Sequence, residues 1–243
     1  MPKIIQKILH YFARKAMVER IGTGKYGFFF RRMYADHEDR YKFAIPYVTD
    51  KAVLDMACGE GYGTASLSLK AKSVIGVDIA NEVINDAKKK YTLGKSNNIR
   101  FICSDAIEYL EHNDTVFDVI ISYETVEHVK DYLLFLTLIK KNLKNGGTLI
   151  LSTPNKQFSD LLMGGTFNPY HNREFYPQEL VDALGDIFGH EPQVFYQRPI
   201  DKHDWLWSSV KSFLLSEKSS IVRETSQITG LETIFVSVAP SEV

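Results

Sequence analysis

The chain has 243 residues, 44% of them hydrophobic and 24% charged, proportions that bury a substantial core and exclude a fibre or a disordered chain. Its 29 basic and 30 acidic residues leave a net charge of -1, so no global positive field attracts nucleic acid and no nucleic-acid partner is expected. The two cysteines, Cys58 and Cys103, lie in or beside apolar runs and read as small buried hydrophobes in a reducing, cytoplasmic setting.

No uninterrupted apolar stretch reaches the length of a membrane span, and the first residues lack the apolar core and cleavage site of a signal peptide. The expectation is one domain over residues 1–243, with a helical segment over 1–48. Lys3 to about Arg20 mixes Ile4, Ile5, Ile8, Leu9 and Phe12 with Lys3, Lys7, His10, Arg14 and Lys15 at roughly helical spacing, a basic amphipathic helix. It has two readings: a helix covering the sheet or a subunit contact, or a peripheral contact with an anionic membrane surface, at the inner face of the membrane. A second helix runs from about His37 to near Pro46.

From Ala52 the pattern becomes regular. Ala52-Val-Leu-Asp55 is a short apolar strand, followed by a glycine-rich turn and a helix through about Leu69. Strand two is Ser73 to Asp78, and the next helix sets Val83, Ile84, Ala87 and Tyr91 on one face. Strands three and four are Ile99 to Cys103 and Phe117 to Ile121, each the length of a buried parallel strand. A helix from about Asp131, carrying Leu134, Leu138 and Ile139, is expected to stop at Gly146-Gly147, and strand five is Thr148 to Ser152. Helices alternating with strands give a doubly wound, Rossmann-like α/β sheet, because parallel neighbours need crossovers. The end of the chain departs from this rhythm. A helix opened by Pro177 leads to strand-like runs at Gln193–Gln197 and Thr233–Val238, with a Trp205 to Leu214 stretch between them that reads as a packing helix. Insertions on the substrate side are expected near residues 153–176 and 199–230.

The chemistry starts at Val53-Leu-Asp55-Met-Ala-Cys58-Gly59-Glu60-Gly61-Tyr62-Gly63, where glycines between a strand and a helix let a ligand approach the backbone at the sheet edge. Alone, this is equally a tight turn with no ligand. Asp78 ends strand two about 20 residues beyond the first glycine, where a carboxylate accepts from ribose hydroxyls. Asp105 follows strand three, placed to accept from an adenine amine while the Ala106 backbone reads the ring edge. Three strand ends thus converge on an adenosine. The third position of a pyrophosphate fingerprint counted from Gly59 is Thr64, and the carboxylate of Asp55 suits an ammonium rather than a pyrophosphate. The spacing favours S-adenosyl-L-methionine over a dinucleotide.

Asp55 to Gly63, Val77-Asp78-Ile79, Ser104-Asp105-Ala106, Phe117-Asp-Val-Ile and Leu143-Lys-Asn-Gly-Gly-Thr-Leu together resemble the successive motifs of class I S-adenosylmethionine-dependent methyltransferases over roughly residues 40–155. The resemblance implies a seven-stranded, mostly parallel sheet with an antiparallel last strand, and a cofactor site that includes Cys58, Gly59, Gly61 and Ile79. Tyr123-Glu-Thr-Val-Glu127-His128-Val resembles the segment after strand four of ubiquinone-type O-methyltransferases, which places Tyr123 on the cofactor. Arg40 resembles the arginine that such enzymes direct at the methionine carboxylate.

The insertion Phe167-Asn-Pro-Tyr-His171-Asn-Arg173-Glu174 resembles a segment of methyltransferases of bacterial surface-polysaccharide and O-antigen biosynthesis, as does Arg40-Tyr41-x-Phe43-Ala44. It implies O-methylation of a sugar hydroxyl in a surface glycan, nucleotide-sugar or lipid-linked saccharide met by Tyr170, Arg173 and Glu174; the alternatives are a phenolic or quinone-like small molecule or an amino-sugar nitrogen as acceptor, and a non-catalytic cofactor-binding module. An aliphatic hydroxyl benefits from a base, for which His171 and His128 are the candidates. The bland alternative is that His171, Arg173 and Glu174 pin a surface loop. Glu124 and Glu127 read as solvated or capping, and the histidines and cysteines show no compact metal-ligand spacing, so no metal site is expected.

Overall fold

The computed structural model describes residues 28–92, 97–163, 170–201, 220–224 and 228–240. A long helix α1 (Phe28–Val48) precedes β1 (Ala52–Met56), α2 (Tyr62–Ser68), β2 (Ser73–Asp78), α3 (Asn81–Tyr91), β3 (Ile99–Cys103), α4 (Ala106–His112) and β4 (Phe117–Tyr123). A 3-10 turn (Val126–His128), α5 (Tyr132–Asn142), β5 (Leu143–Pro154), α6 (Lys156–Met163), α7 (Pro177–Phe188), β6 (Gln193–Asp201), β7 (Ile221–Arg223) and β8 (Ile228–Val238) follow. The predicted basic helix at Lys3–Arg20, the Trp205–Leu214 stretch and residues 164–169 lie outside the described residues.

The strands form one sheet in the order β3-β2-β1-β4-β5-β8-β6-β7. β1 to β5 pair in parallel, and β8 inserts antiparallel between β5 and β6. The expectation of seven strands is corrected to eight, because the short β7 adds to the edge of β6. The order reverses beside β1, which opens a crevice at the carboxyl ends of β1, β2 and β4.

Alternation along the strands sends side chains to two cores. Leu54, Met56, Leu149 and Leu151 pack with Phe135, Ile139, Leu180 and Phe188 of α5 and α7. Val53, Val119, Ile121 and Ile150 meet Tyr41, Ala44, Val48 and Leu67 of α1 and α2 on the other face. Each such fully buried large side chain contributes about 1.5–3 kcal/mol.

Helix ends follow local chemistry. Asp131 Oδ1 accepts from Leu134 N at 2.9 Å to start α5, and Pro177 opens α7 with Glu179 reaching back to Tyr176 N at 2.8 Å. Two expected ends move. α5 stops at Asn142 rather than at Gly146-Gly147, and β5 begins at Leu143, with a register shift against β4 between Phe117 and Val119 taking up the glycines. α1 begins before His37 and passes Pro46, whose missing N–H falls in the last turn and costs one bond.

α1 is tied to β6 by buried polar groups. Arg40 Nη1 donates to Gln197 Oε1 at 2.7 Å, and Gln197 Nε2 donates to Asp36 O at 2.9 Å. Arg198, at φ 52, grips Asp36 with Nε at 2.8 Å and Nη2 at 2.6 Å. Among the described residues no helix is long and apolar enough to cross a membrane.

Candidate functional site

The loop after β1 turns on backbone that side chains resist. Gly61 has φ 75, and a Cβ there would lie 2.6 Å from Phe101 Cε1. Gly63, in the first turn of α2, admits the ring of Tyr41 so closely that a Cβ would sit 1.9 Å from its Cζ. With the loop folded this way, Cys58 N donates to Val77 O at 2.9 Å and Gly59 N donates to Asp78 Oδ2 at 3.0 Å. Ala80 N donates to Asp78 Oδ1 at 2.9 Å. Both Asp78 oxygens are thereby fixed, each with a further lone pair to offer.

These residues wall a cleft of about 290 Å³ that Tyr41, Cys58, Gly59, Asp78, Ile79 and Tyr123 line, with His37, Glu124 and His128 at other points of the wall. Ile79 is 68% exposed there, an apolar surface beside a carboxylate. Burial pushes the Cys58 thiol up, so it stands in the wall as a neutral group.

Asp55 is placed behind that wall rather than on it. It is 1% exposed, accepts from Thr64 Oγ1 at 2.6 Å and from Tyr41 OH at 3.2 Å, and reaches the cleft through the Tyr41 ring. Burial pushes its carboxyl up to about 7. The Thr64 and Tyr41 hydrogen bonds pull the other way, and the charge of Asp78 adds to the rise.

Arg40 is likewise buried behind the wall. Its carbonyl accepts from Tyr123 OH at 2.9 Å, its guanidinium lies 5.9 Å from the centre of the Tyr123 ring, and its Nη1 is 4.0 Å from Glu124 Oε1. Glu124 stands at φ 50 just past β4 and accepts from Ser152 Oγ at 2.7 Å. That left-handed backbone costs a side chain of order 1 kcal/mol and turns Glu124 into the cleft wall. His37 is held neutral there by burial and by the charge of Arg40.

Asp105 caps α4, its Oδ1 accepting from Ile107 N at 2.8 Å and Glu108 N at 3.2 Å. The β3 exit runs beside the β2 exit, since Ser104 N donates to Asp78 O at 3.1 Å. Asp105 and Ala106 therefore stand next to the Asp78-Ile79 corner, although neither is among the residues lining the cleft.

On the other side, the 3-10 turn after β4 is sewn to the segment 170–174. Asn172 N and Arg173 N donate to Glu127 O at 2.8 and 3.1 Å, and Asn172 Nδ2 donates to His128 O. His128 Nδ1 lies 3.1 Å from Tyr170 O, and His171 Nδ1 lies 3.1 Å from Glu174 Oε1. The two imidazoles meet edge to face with centroids 4.8 Å apart. Tyr170 is exposed. Arg173 is occupied elsewhere, bonding Glu179 Oε1 at 2.6 Å and lying over the rings of Tyr132 and Phe175. Arg173 thus pins the loop, the bland alternative for this residue, while Glu174 is buried and steers His171.

One expectation is corrected here. Glu127 is neither solvated nor a cap: it is fully buried, with Oε2 accepting from Thr153 Oγ1 at 2.9 Å. The sequence shows no ligand spacing, yet the fold gathers one candidate ligand atom from each of Glu127, His128 and His171 to within 4.8 Å of one another.

A family model described as a methyltransferase domain matches residues 48–198, which span β1 to β6 and both sides of the cleft. The chain belongs to this methyltransferase-domain family. A protein of Mycobacterium tuberculosis described as a probable S-adenosylmethionine-dependent methyltransferase is 29% identical over 159 residues, covering 65% of this chain and 54% of that protein. A ubiquinone biosynthesis O-methyltransferase of Aliivibrio fischeri is 29% identical over 147 residues, 55% of this chain and 62% of that protein. The chain thus spans about half to three-fifths of the length of these curated relatives. Among solved structures, the magnesium protoporphyrin IX methyltransferase of Synechocystis superposes with a TM-score of 0.63 at 14% identity, over 98% of this chain and 100% of that one. The YcgJ protein of Bacillus subtilis gives 0.59 at 17% identity, over 85% and 100%. At such identities they establish the fold.

His37, Tyr41 and Glu124 line the cleft and Glu127 stands beside it, places that the sequence reading did not assign to them. His37 and Tyr41 sit one helical turn apart on α1, a spacing that by itself equally describes a core face. Glu127-His128 directly after an apolar strand, at the carboxyl edge of the sheet, is the signal that marks the acceptor side.

Proposed function

We propose that this domain binds S-adenosyl-L-methionine in the cleft and transfers its methyl group to a hydroxyl of a saccharide or similar small molecule. The observation that carries the cofactor reading is Asp78, locked by the Gly59 and Ala80 amides at the end of β2 where it lines the cleft. Such an acceptor is made for a vicinal diol such as that of a ribose. Ile79 supplies an apolar face for the base, with Asp105 and Ala106 beside it. At the far end Arg40 and Asp55 lie behind the wall, and Tyr123 and Tyr41, which they hold, are the groups presented to the amino-acid tail.

S-adenosyl-L-methionine, when bound, supplies an electrophilic methyl on a sulfonium. The chain's own residues align the acceptor and exclude water. His128 stands on the cleft wall with His171 behind it, steered by Glu174. This hydroxyl-activating cluster supports an aliphatic acceptor of high pKa, which needs activation, over one that is already nucleophilic. The name of the ubiquinone O-methyltransferases favours a second reading, a phenolic acceptor.

Calorimetry with S-adenosylhomocysteine tests the cofactor. Asp78→Ala is expected to weaken binding by about 1.5–3 kcal/mol, the worth of hydrogen bonds to a charged acceptor. Tight dinucleotide binding with no response to S-adenosylhomocysteine would end the reading. With labelled cofactor and a panel of saccharides, nucleotide-sugars and phenols, His171→Ala is expected to lower turnover about 10²- to 10⁴-fold while S-adenosylhomocysteine affinity stays level. Transfer to phenols alone would promote the second reading.

A further inference from the structure

We infer that Glu127, His128 and His171 form a binding site for one divalent cation of the zinc class, poised at the acceptor side of the cleft. One ligand atom from each lies within 4.8 Å of the others; atoms that share an ion at bond lengths of about 2.0–2.2 Å stand at most about 4.4 Å apart, so a small inward shift of the side chains closes the set on a single ion. The three come from the 3-10 turn after β4 and the segment ahead of α7, and the backbone hydrogen bonds from Asn172 and Arg173 to Glu127 fix these pieces against each other.

The surroundings are those of a ligand set. His171 Nδ1 faces the carboxylate of Glu174 at 3.1 Å, and His128 Nδ1 faces the carbonyl of Tyr170 at 3.1 Å. Such partners fix ring orientation and tautomer in metal-bound histidines and turn Nε2 into the donor atom. Glu174 is itself 2% exposed along its side chain. The carboxylate of Glu127 is held by Thr153 Oγ1 at 2.9 Å, in a residue with no exposed surface. A carboxylate buried beside two imidazoles, each oriented by its own acceptor, suits an ion that neutralises the site. Two imidazoles and one carboxylate select zinc, manganese, iron(II) or cobalt over calcium, which prefers an all-oxygen shell.

Three protein ligands leave a coordination position open, and His128 puts the site on the cleft wall. Resting on the methyl-transfer reading, the open position would take the acceptor hydroxyl. The coordinated hydroxyl releases its proton to water. Its oxygen then forms the new C–O bond as the C–S bond of the sulfonium breaks, leaving S-adenosylhomocysteine. His171 then acts as a ligand rather than as a free base.

The test begins with the full chain stripped by a chelator and titrated with cobalt(II), read by its visible absorption, and with zinc by competition. One ion per chain is expected. Glu127→Gln and His171→Ala should each weaken binding at least tenfold to a hundredfold, and Glu174→Gln, which only frees the ring, should weaken it less. Calorimetry with S-adenosylhomocysteine on each variant reports whether the domain is folded and separates failure of this site from failure of the cofactor reading. No ion bound at micromolar concentration, or equal binding by Glu127→Gln, Glu174→Gln and the parent chain, would overturn the site. Methyl transfer that continues unchanged in the stripped protein would overturn the role of the ion and return His171 to metal-free catalysis.

Discussion

The two halves of the cleft are built by different means. On the cofactor side the contacts are short in sequence: Asp78 holds Gly59 and Ala80, 19 and 2 residues away, and Thr64 holds Asp55 from 9 away. On the acceptor side His128 meets Tyr170 across 42 residues, Glu127 meets Thr153 across 26, and Asn172 reaches back to His128 across 44. The glycine-loop end of the first half is thus a local device that a single βαβ unit can fold, whereas its far end, where Arg40 meets Tyr123 across 83 residues and Gln197 across 157, is not. The second half exists only once separate loops have docked, so changes in it should alter turnover with little effect on cofactor affinity.

The largest expected effect lies in the local half. Gly63→Ala drives a methyl into the Tyr41 ring, which is packed in the core between α1 and α2 and must shift to make room. A loss of about 3 kcal/mol is expected, the upper end for overpacking. Urea unfolding measures it, and S-adenosylhomocysteine affinity should fall with it. A stable variant with intact affinity would break the claim that this half is rigidly set.

A pH effect of intermediate size comes from Asp55. Its ordinary value is 3.8 and burial raises it to about 7 in the folded chain, so the folded state binds the proton more tightly. The stability this group contributes is fully present below pH 3.8 and is lost as pH rises through about 7. Unfolding free energy should therefore decline from about pH 5 to pH 7, and Asp55→Asn should flatten that slope in parallel measurements. A slope unchanged by the substitution would mean that another group carries it.

The smallest effects sharpen the contrast. Asp105→Ala removes the α4 cap and should cost about 1 kcal/mol, measurable by thermal denaturation. Asn172→Ala takes one stitch from the acceptor loop, and its expected signature is reduced turnover with unchanged S-adenosylhomocysteine binding. Equal loss of both would erase the division between the halves.

This division also explains what could be read from the chain. The strands from β1 to β5, the glycine loop and the carboxylate at the end of β2 follow from local rules: apolar runs of strand length, turn glycines, and an acid where a strand stops. The end of α5 misled because Gly146-Gly147 imitates a helix terminus while serving a bulge in β5. The eighth strand was missed because a three-residue strand has no periodicity to detect. Glu127 looked solvated because nothing in its own neighbourhood announces Thr153 or the 170–174 segment above it. Burial of a short polar turn is decided by what arrives later in the sequence.

The ties between α1 and β6 impose an order on manufacture. Asp36 and Arg40 leave the ribosome early, but Gln197 and Arg198, their partners, are made some 160 residues later. A chain folding from its N-terminus as it is synthesised completes the β1–β4 platform first. Until the partners emerge, the buried Arg40 and the half-buried Asp36 cannot be fastened between α1 and β6. The wall behind the far end of the cleft is thus among the last parts to close, and a nascent chain stopped before residue 197 holds the glycine loop without the clamp that secures α1 over it.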